Sequence, residues 1–202
     1  PAMVLAACSS MQNSHDEGIY IEGLCLQPSL SVAKVVKVLG VEDTRTKVEG
    51  GIQYSWLRRD GLELAQTFDS AGGFIYGSVY ISRHKASYKG NVYATAFQTK
   101  STKPYIYLGQ SKLGQVRAQV QGDMKPERGV LAEGVVYYGW RYVLDGLGAP
   151  DYVVVAAALW SYPQEERRKT IRDSSLVKFL WIGPEPLWNK WKEEESPRRE
   201  GP

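Results

Sequence analysis

Two stretches of this sequence, 82 to 85 residues apart, carry the same order of local signals. In each, a serine precedes a short apolar-periodic segment that ends at a glycine, and a polar loop and strand-like segments follow. The matching positions are Ser29 and Ser111, Gly40 and Gly122, Gly51 and Gly134, and Asp60 and Asp145. A sustained internal period is typical of repeated structural units. We interpret it as a tandem repeat, and the alternative is a single α+β domain with two unrelated short helices.

The local patterns predict one short helix and several strands in each unit. Apolar residues at positions 32, 35, 36 and 39 have the spacing of one helix face, with Ser29 as the predicted cap and Gly40 as the stop. Alternating segments bounded by Asp-Gly and Gly-Gly turns predict hairpin strands. The predicted strands are Ile52–Leu57, Leu62–Phe68, Phe74–Ile81, Gly134–Trp140, Tyr152–Trp160 and Leu176–Ile182. Asn91–Phe97 could close the first sheet as a fourth strand.

The sequence therefore predicts an α+β fold of two tandem units, each a short helix followed by an antiparallel β-meander. The predicted segments are a signal remnant and tether (1–18), a first unit (19–100), a second unit (101–183) and a flexible tail (184–202). An apolar content of 43% is ample for a packed core.

Thirteen tyrosines and six tryptophans against four phenylalanines are an unusual aromatic balance. Tyr and Trp are enriched in protein interfaces. If the aliphatic residues face the helix, strand alternation leaves the rings on the open face of the sheet. The candidate partner-binding residues are Tyr54, Trp56, Tyr76, Tyr80, Tyr137 and Trp140. The alternative is that these rings close the core of a small domain.

The net charge is only +3, but the charges are unevenly distributed and one segment is strongly basic. Between positions 83 and 128 nine Lys or Arg face only two acids, Asp123 and Glu127. The candidate basic patch is Arg83, Lys85, Lys89, Lys100, Lys103, Lys112 and Arg117. Such a segment is suited to an acidic protein, to lipopolysaccharide phosphates or to nucleic acid, and the alternative is a solvated linker.

The residue types that dominate catalysis are scarce, since the chain has two histidines and two cysteines. No G-x-S-x-G, H-E-x-x-H, C-x-x-C or P-loop motif occurs. We therefore predict no catalytic site, no metal and no cofactor. The longest apolar run, Tyr152–Trp160, is too short to span a bilayer.

Leu5-Ala6-Ala7-Cys8 resembles the lipobox of bacterial lipoproteins, in which the signal is cleaved before a cysteine that becomes acylated. The polar residues that follow have the composition of a tether, and the alternative is a cloning scar. The resemblance makes Cys8 the predicted lipidation site. Cys25 is then either a small core residue or the partner of Cys8 in a disulfide.

A lipobox, a tether, a short helix ending in Leu-Gly and a meander with an Asp-Ser-x-Gly turn resemble the small outer-membrane lipoproteins of the BamE/SmpA type. Two such units in tandem are similar to the family of secreted β-lactamase inhibitor proteins. The residues that carry the likeness are Val35–Gly40, Gly50-Gly51, Tyr54, Trp56, Asp69–Gly73 and Tyr76, with a second set at Val116–Gly122, Gly134, Tyr137 and Asp145-Gly146. Two features depart from the pattern: Val41 stands where a proline is usual, and the second unit has a long insert at 161–173. The resemblance implies binding or assembly and no catalysis.

These observations predict a lipid-anchored envelope protein at the periplasmic face of the bacterial outer membrane. It would bind a protein partner, as an assembly factor, inhibitor or immunity protein, and touch the membrane only through its lipid. The alternative is a soluble, cytoplasmic α+β protein that binds nucleic acid or a phosphate ligand through the basic segment 83–128, provided that the lipobox is false.

Overall fold

The computed structural model describes residues 18–58, 60–81, 91–95, 105–119, 124–132, 135–144, 151–161 and 172–195. The elements of this part of the chain, in order, are β1 (Ile19–Ile21), β2 (Leu24–Leu26), α1 (Val32–Leu39), β3 (Thr44–Val48), β4 (Gly51–Leu57), β5 (Leu62–Phe68), β6 (Phe74–Ile81), β7 (Val92–Thr95), β8 (Tyr105–Tyr107), α2 (Leu113–Gln119), β9 (Lys125–Ala132), β10 (Val135–Leu144), β11 (Tyr152–Ser161), β12 (Phe179–Pro184) and α3 (Glu185–Glu195).

The strands form two antiparallel sheets. A large sheet has the order β3-β4-β5-β6-β12-β11-β10-β9, and a small sheet has the order β2-β1-β7-β8. The prediction of two separate helix-plus-meander units is therefore wrong. The two meanders join at β6 and β12, where Tyr80 lies opposite Phe179, into one continuous sheet. This pairing satisfies backbone groups that two separate four-stranded sheets would each leave open at an edge.

Both halves of the chain nevertheless run through the same order of elements. Two short strands, a helix and four strands follow one another as β1 to β6 with α1, and again as β7 to β12 with α2. The second run of elements begins with β7 at Val92, and β7 pairs with β8. The prediction that Asn91–Phe97 closes the first sheet as a fourth strand is therefore wrong. The described part of this segment, β7, pairs with β1 and β8 in the small sheet instead, because its buried Val92 and Ala94 face the same core as Ile19 and Ile21.

Helix α1 begins at Val32, and its cap is Ser31 rather than the predicted Ser29. The Ser31 hydroxyl accepts a hydrogen bond from the Lys34 backbone N–H at 3.4 Å. The predicted stop at Gly40 is confirmed, since Gly40 has a φ of 85° and its N–H donates to the Val36 carbonyl at 2.9 Å. The later start follows from a turn in which the Leu30 N–H bonds to the Gln27 carbonyl.

The large sheet separates two hydrophobic clusters, which gives the molecule three layers. On one face, the small sheet, α1 and α2 bury residues such as Ile21, Val35 and Val116 against Leu64 and Val154. The opposite face, here called the outer face, buries a second cluster under α3. Its members are Tyr137, Val153, Val155, Ala157, Phe179, Trp181 and Trp188.

The prediction of a flexible tail over 184–202 is wrong for the part that forms the C-terminal helix α3, and residues 196–202 lie outside the described residues. Residues 185–195 are helical, with Glu185 in the first turn and Lys192 in the last, where each charge complements the helix dipole. Trp188 and Trp191, three residues apart, lie on one side of the helix and pack on the outer face. Burial of these rings is what ties the segment to the sheet.

Candidate functional site

Three of the six candidate partner-binding aromatics lie on the core face of the sheet and not on an open surface. Tyr54 is 8% exposed and Trp56 is 3% exposed. The Trp56 Nε1–H donates to the Gly40 carbonyl at 3.1 Å, which ties β4 to the end of α1. Trp140 packs against the same core from β10. The prediction that these three rings face a partner is therefore wrong.

The reason lies in the residues that alternate with them. On β4 the other set of positions is Gln53, Ser55 and Leu57, so Tyr54 and Trp56 with Ile52 are the larger apolar set and turn inward. The assumption that aliphatic residues always take the helix side fails on a strand whose second face is mainly polar.

The other three aromatics lie on the outer face. Tyr137 is fully buried beneath α3. Tyr76 and Tyr80 are half-buried on β6 and line an open groove between α3 and the sheet. Tyr76 and Tyr80 are therefore the candidates that line this groove.

The groove has a volume of about 530 Å³. Its walls are mainly apolar and aromatic, with β6 and β12 on one side and α3 on the other. Tyr76 stacks on Trp181 with ring centroids 6.1 Å apart. The lining residues are Val48, Glu49, Gly50, Gln53, Ile75, Tyr76, Ser78, Tyr80, Phe179, Trp181, Leu187, Lys190 and Trp191. A lining with many aromatic rings and few polar groups is typical of a binding pocket.

Trp188 holds the helical wall of this groove in place. The side chain is 0% exposed, and its ring centroid lies 4.8 Å from that of Trp181 and 5.0 Å from that of Trp191. Tyr137 lies below, with its ring centroid 5.7 Å from that of Trp188. Four aromatic rings therefore meet under α3, and the helix cannot shift without breaking their contacts.

A network of charges fixes the side of α3 that is remote from the groove. Arg141 Nε lies 3.0 Å from Glu127 Oε1, and the same guanidinium also pairs with Glu185. Lys192 on α3 pairs with the second carboxylate oxygen of Glu127. The Glu127 side chain is 4% exposed and that of Arg141 is 11% exposed, so the central pair of the network is largely removed from water.

At the mouth of the groove, Lys190 of α3 reaches across to Glu49 in the turn between β3 and β4. The Lys190 Nζ lies 2.6 Å from Glu49 Oε2. The hydrogen bond from Lys190 lowers the pKa of the Glu49 carboxyl. Both side chains are well exposed, so this pair marks the rim and contributes little to stability.

Inside the groove, the Tyr80 hydroxyl donates to the carboxylate of Glu63. Burial, with the hydrogen bond to Glu63 adding to it, raises the pKa of Tyr80 well above that of free tyrosine. Tyr80 therefore presents a neutral ring at physiological pH, with its hydroxyl already engaged. Gln53, Ser78 and the hydroxyl of Tyr76 are further uncharged polar groups of the lining.

Tyr137 makes a pH-dependent contribution to stability that can be tested. Burial, and to a lesser extent the nearby Glu127, raises its pKa, and its hydroxyl has no hydrogen-bond partner. A raised folded-state pKa gives stability that is present below the pKa of unfolded tyrosine, about 10, and is lost as pH rises above it.

We expect the free energy of unfolding in urea to fall between pH 9 and the alkaline limit, and Tyr137→Phe to make that fall shallower. Near pH 7 the variant should lie within about 1 kcal/mol of the wild type, since no hydrogen bond is lost. If the free energy of unfolding of Tyr137→Phe fell as steeply above pH 9 as that of the wild type, the pH dependence could not be assigned to Tyr137.

Two members of the predicted basic patch, Lys112 and Arg117, lie within the described residues. Arg117 pairs with Asp173 at 2.7 Å, and Lys112 is exposed at the start of α2. Arg83, Lys85, Lys89, Lys100 and Lys103 lie outside the described residues, as does Cys8. Cys25 is half-buried on β2, opposite Tyr20 of β1.

Within the described ranges, no cluster of three His, Cys, Asp or Glu side chains could hold a metal ion. No helix in this part of the chain is long and apolar enough to cross a membrane.

Most of the residues that build the groove are not predicted from the sequence. Phe179, Trp181, Leu187 and Trp191 were not among the candidates. One signal was available: Trp188 and Trp191 stand three residues apart, just after Pro186, and proline is common in the first turn of a helix.

Comparison with protein-family models, with curated proteins and with solved structures finds no match for this chain.

Proposed function

We propose that this chain is a non-catalytic binding protein of the bacterial envelope, which holds a protein partner in the aromatic groove between α3 and the large sheet. The observation that carries the proposal is the groove itself. Elsewhere on the outer face α3 fills the space over β10 to β12 with buried rings, whereas beside β6 the rings of Tyr76, Tyr80 and Trp191 border open volume.

The lining matches the way protein partners are anchored. Binding energy at interfaces concentrates in pockets where large side chains are removed from water, with polar groups at the rim. Here Tyr76, Trp181 and Trp191 form the apolar wall, while Lys190 and Glu49 stand at the rim. A volume of about 530 Å³ accommodates a short segment with two large apolar side chains.

The proposed partner is of the assembly, inhibitor or immunity type, which the resemblance of Val35–Gly40 and Asp69–Gly73 to the BamE/SmpA pattern implies. The proposed location rests on the resemblance of Leu5–Cys8 to a lipobox, in which Cys8 would carry a lipid anchor at the periplasmic face of the outer membrane. Labelling with radioactive palmitate in cells that express the chain from a complete signal tests the anchor. Label that persists in Cys8→Ala would refute it.

Photo-crosslinking tests the groove with a matched pair of positions. Gln53 and Ser55 lie on the same face of β4, two residues apart and both half-buried, but only Gln53 lines the groove. A photoreactive phenylalanine analogue at position 53 should yield one dominant protein adduct in cells. The same probe at position 55 should not. Equal adducts at both positions, or no protein adduct at position 53, would overturn the proposal.

A further inference from the structure

A carboxylate without a cation stands beside the groove. Glu63 of β5 lies opposite Tyr80 of β6 and accepts the hydrogen bond of its hydroxyl. Tyr80 lines the groove, so the Glu63 carboxylate lies one strand away from the groove floor. Glu63 is half-buried, and no ion pair between the described residues includes it. Its charge is therefore partly removed from water and not compensated by this part of the chain.

The uncovered part of the outer face is otherwise uncharged. Strand alternation from Glu63 and Tyr80 defines the outer rows of β3 to β6. At their other described positions these rows hold only Thr, Ser, Gln, Gly, Ala, Val, Leu and Tyr side chains. At the rim, Glu49 already has a cation in Lys190. Over the described residues, this surface therefore presents a negative charge at one place, next to an aromatic ring.

Elsewhere in the molecule, a tyrosine ring and a glutamate share one arginine. The guanidinium of Arg45 lies 4.8 Å from the centroid of the Tyr54 ring, and its Nη2 lies 2.5 Å from Glu42 Oε1. The guanidinium attracts the face of the ring and pairs with the carboxylate at the same time. Tyr80 and Glu63 offer the same two groups on an open surface.

We infer that the partner held in the groove presents an arginine to Glu63 and Tyr80, beside the apolar side chains that enter the groove; this inference rests on the proposed function. A guanidinium is planar, so it can lie on the Tyr80 ring while its N–H groups donate to the carboxylate. Lysine is the lesser fit, because its ammonium is a strongly hydrated point charge without a planar face. An arginine also compensates a charge that the complex would otherwise remove from water unpaired.

Selection of peptides on the full chain tests which side chains the surface takes. The probe is a library of random linear peptides displayed on phage. The relevant peptides are those that no longer bind Ser78→Tyr, in which a ring fills the half-buried floor of the groove. We expect them to combine large apolar residues with an arginine at a constant spacing. Selection on Glu63→Gln should keep the apolar residues and lose the arginine.

Affinity measurements with one selected peptide give the size of the effect. The arginine form should bind the wild type about tenfold more tightly than the form with citrulline, which has nearly the same shape but no charge. Glu63→Gln should abolish this difference. Glutamine keeps the length of the side chain and an oxygen that accepts from the Tyr80 hydroxyl, so the fold is expected to be retained.

The matched control is Glu22→Gln. It removes the same charge from the turn between β1 and β2, in the small sheet on the other side of the large sheet. Glu22 pairs with Arg58 there, and both side chains are partly exposed. The difference between the arginine and citrulline peptides should persist in this variant and become smaller as salt is added.

Three results would overturn the inference and leave the proposed groove in place. They are groove-dependent peptides without arginine, lysine selected as often as arginine, or equal affinity of the arginine and citrulline forms. If no selected peptide were sensitive to Ser78→Tyr, the groove itself would not be the binding site, and this inference would fail together with the proposed function.

Discussion

Replacing Trp188 with alanine is expected to lower the free energy of unfolding by about 4 kcal/mol, because a fully buried ring is removed and its neighbours cannot close the space. Trp188 touches Trp181, Trp191 and Tyr137, so the loss also releases the helical wall of the groove. Equilibrium unfolding in urea measures the first effect, and crosslinking from position 53 measures the second.

Trp188→Phe separates ring packing from hydrogen bonding. The Trp188 indole N–H has no partner, so phenylalanine loses volume but no hydrogen bond. We expect a loss of about 1 to 2 kcal/mol with the groove retained. A Trp188→Ala variant as stable as the wild type would mean that α3 does not depend on this ring.

Arg141→Met is expected to lower the free energy of unfolding by about 3 kcal/mol, since it leaves the buried carboxylate of Glu127 with one partner instead of two. Glu185 at the start of α3 loses its partner as well. The matched control is Arg117→Met, which breaks a pair with Asp173 whose side chains are both about half exposed. That control should change stability by about 1 kcal/mol or less.

The free energies of unfolding of both variants are compared by urea unfolding at the same ionic strength. If Arg141→Met lowered the free energy of unfolding no more than Arg117→Met does, the charge network under α3 would contribute no more than a surface ion pair. The docking of the helix would then depend on its tryptophans, Trp188 and Trp191.

The first meander could be predicted from sequence almost to the residue. The predicted strands Leu62–Phe68 and Phe74–Ile81 are the observed β5 and β6, and the predicted Ile52–Leu57 differs from β4 by one residue. The turn signals explain this success. The Asp69 carboxylate accepts hydrogen bonds from the N–H groups of Ala71 and Gly73, each at 2.8 Å, and so fixes the turn locally.

Which face each residue takes could be predicted only in part. On β6, Val79 and Ile81 turn to the core and Tyr76 and Tyr80 outward, in line with the alternation. Strict alternation would put Phe74 on the face of these tyrosines, but Phe74 lies in the core, because the register shifts between Thr67 and Phe68 of the partner strand. A β-bulge of this kind leaves no clear mark on the alternation of a single strand.

The joining of the halves and the groove could not be predicted, because both depend on contacts distant in sequence. The edge of β6 pairs with β12, about one hundred residues later, and neither segment specifies that partner locally. The groove likewise forms between the sheet and α3, so it exists only where the helix packs over the strands. The sequence of α3 is rich in charged residues and low in apolar ones. It therefore gives little sign that Trp188 and Trp191 pack the helix against the sheet.

Filling the groove tests the central claim most directly. Ser78 is half-buried on the groove floor, and Ser55 lies in the same row of the outer face, across Ala65, but outside the groove. A tyrosine at either position adds the same side chain to the same face. With the protein captured at position 53 as ligand, Ser78→Tyr is predicted to weaken the measured Kd at least about tenfold, a loss of roughly 1.4 kcal/mol, while Ser55→Tyr leaves it unchanged. Equal affinity of Ser78→Tyr and the wild type would contradict the account.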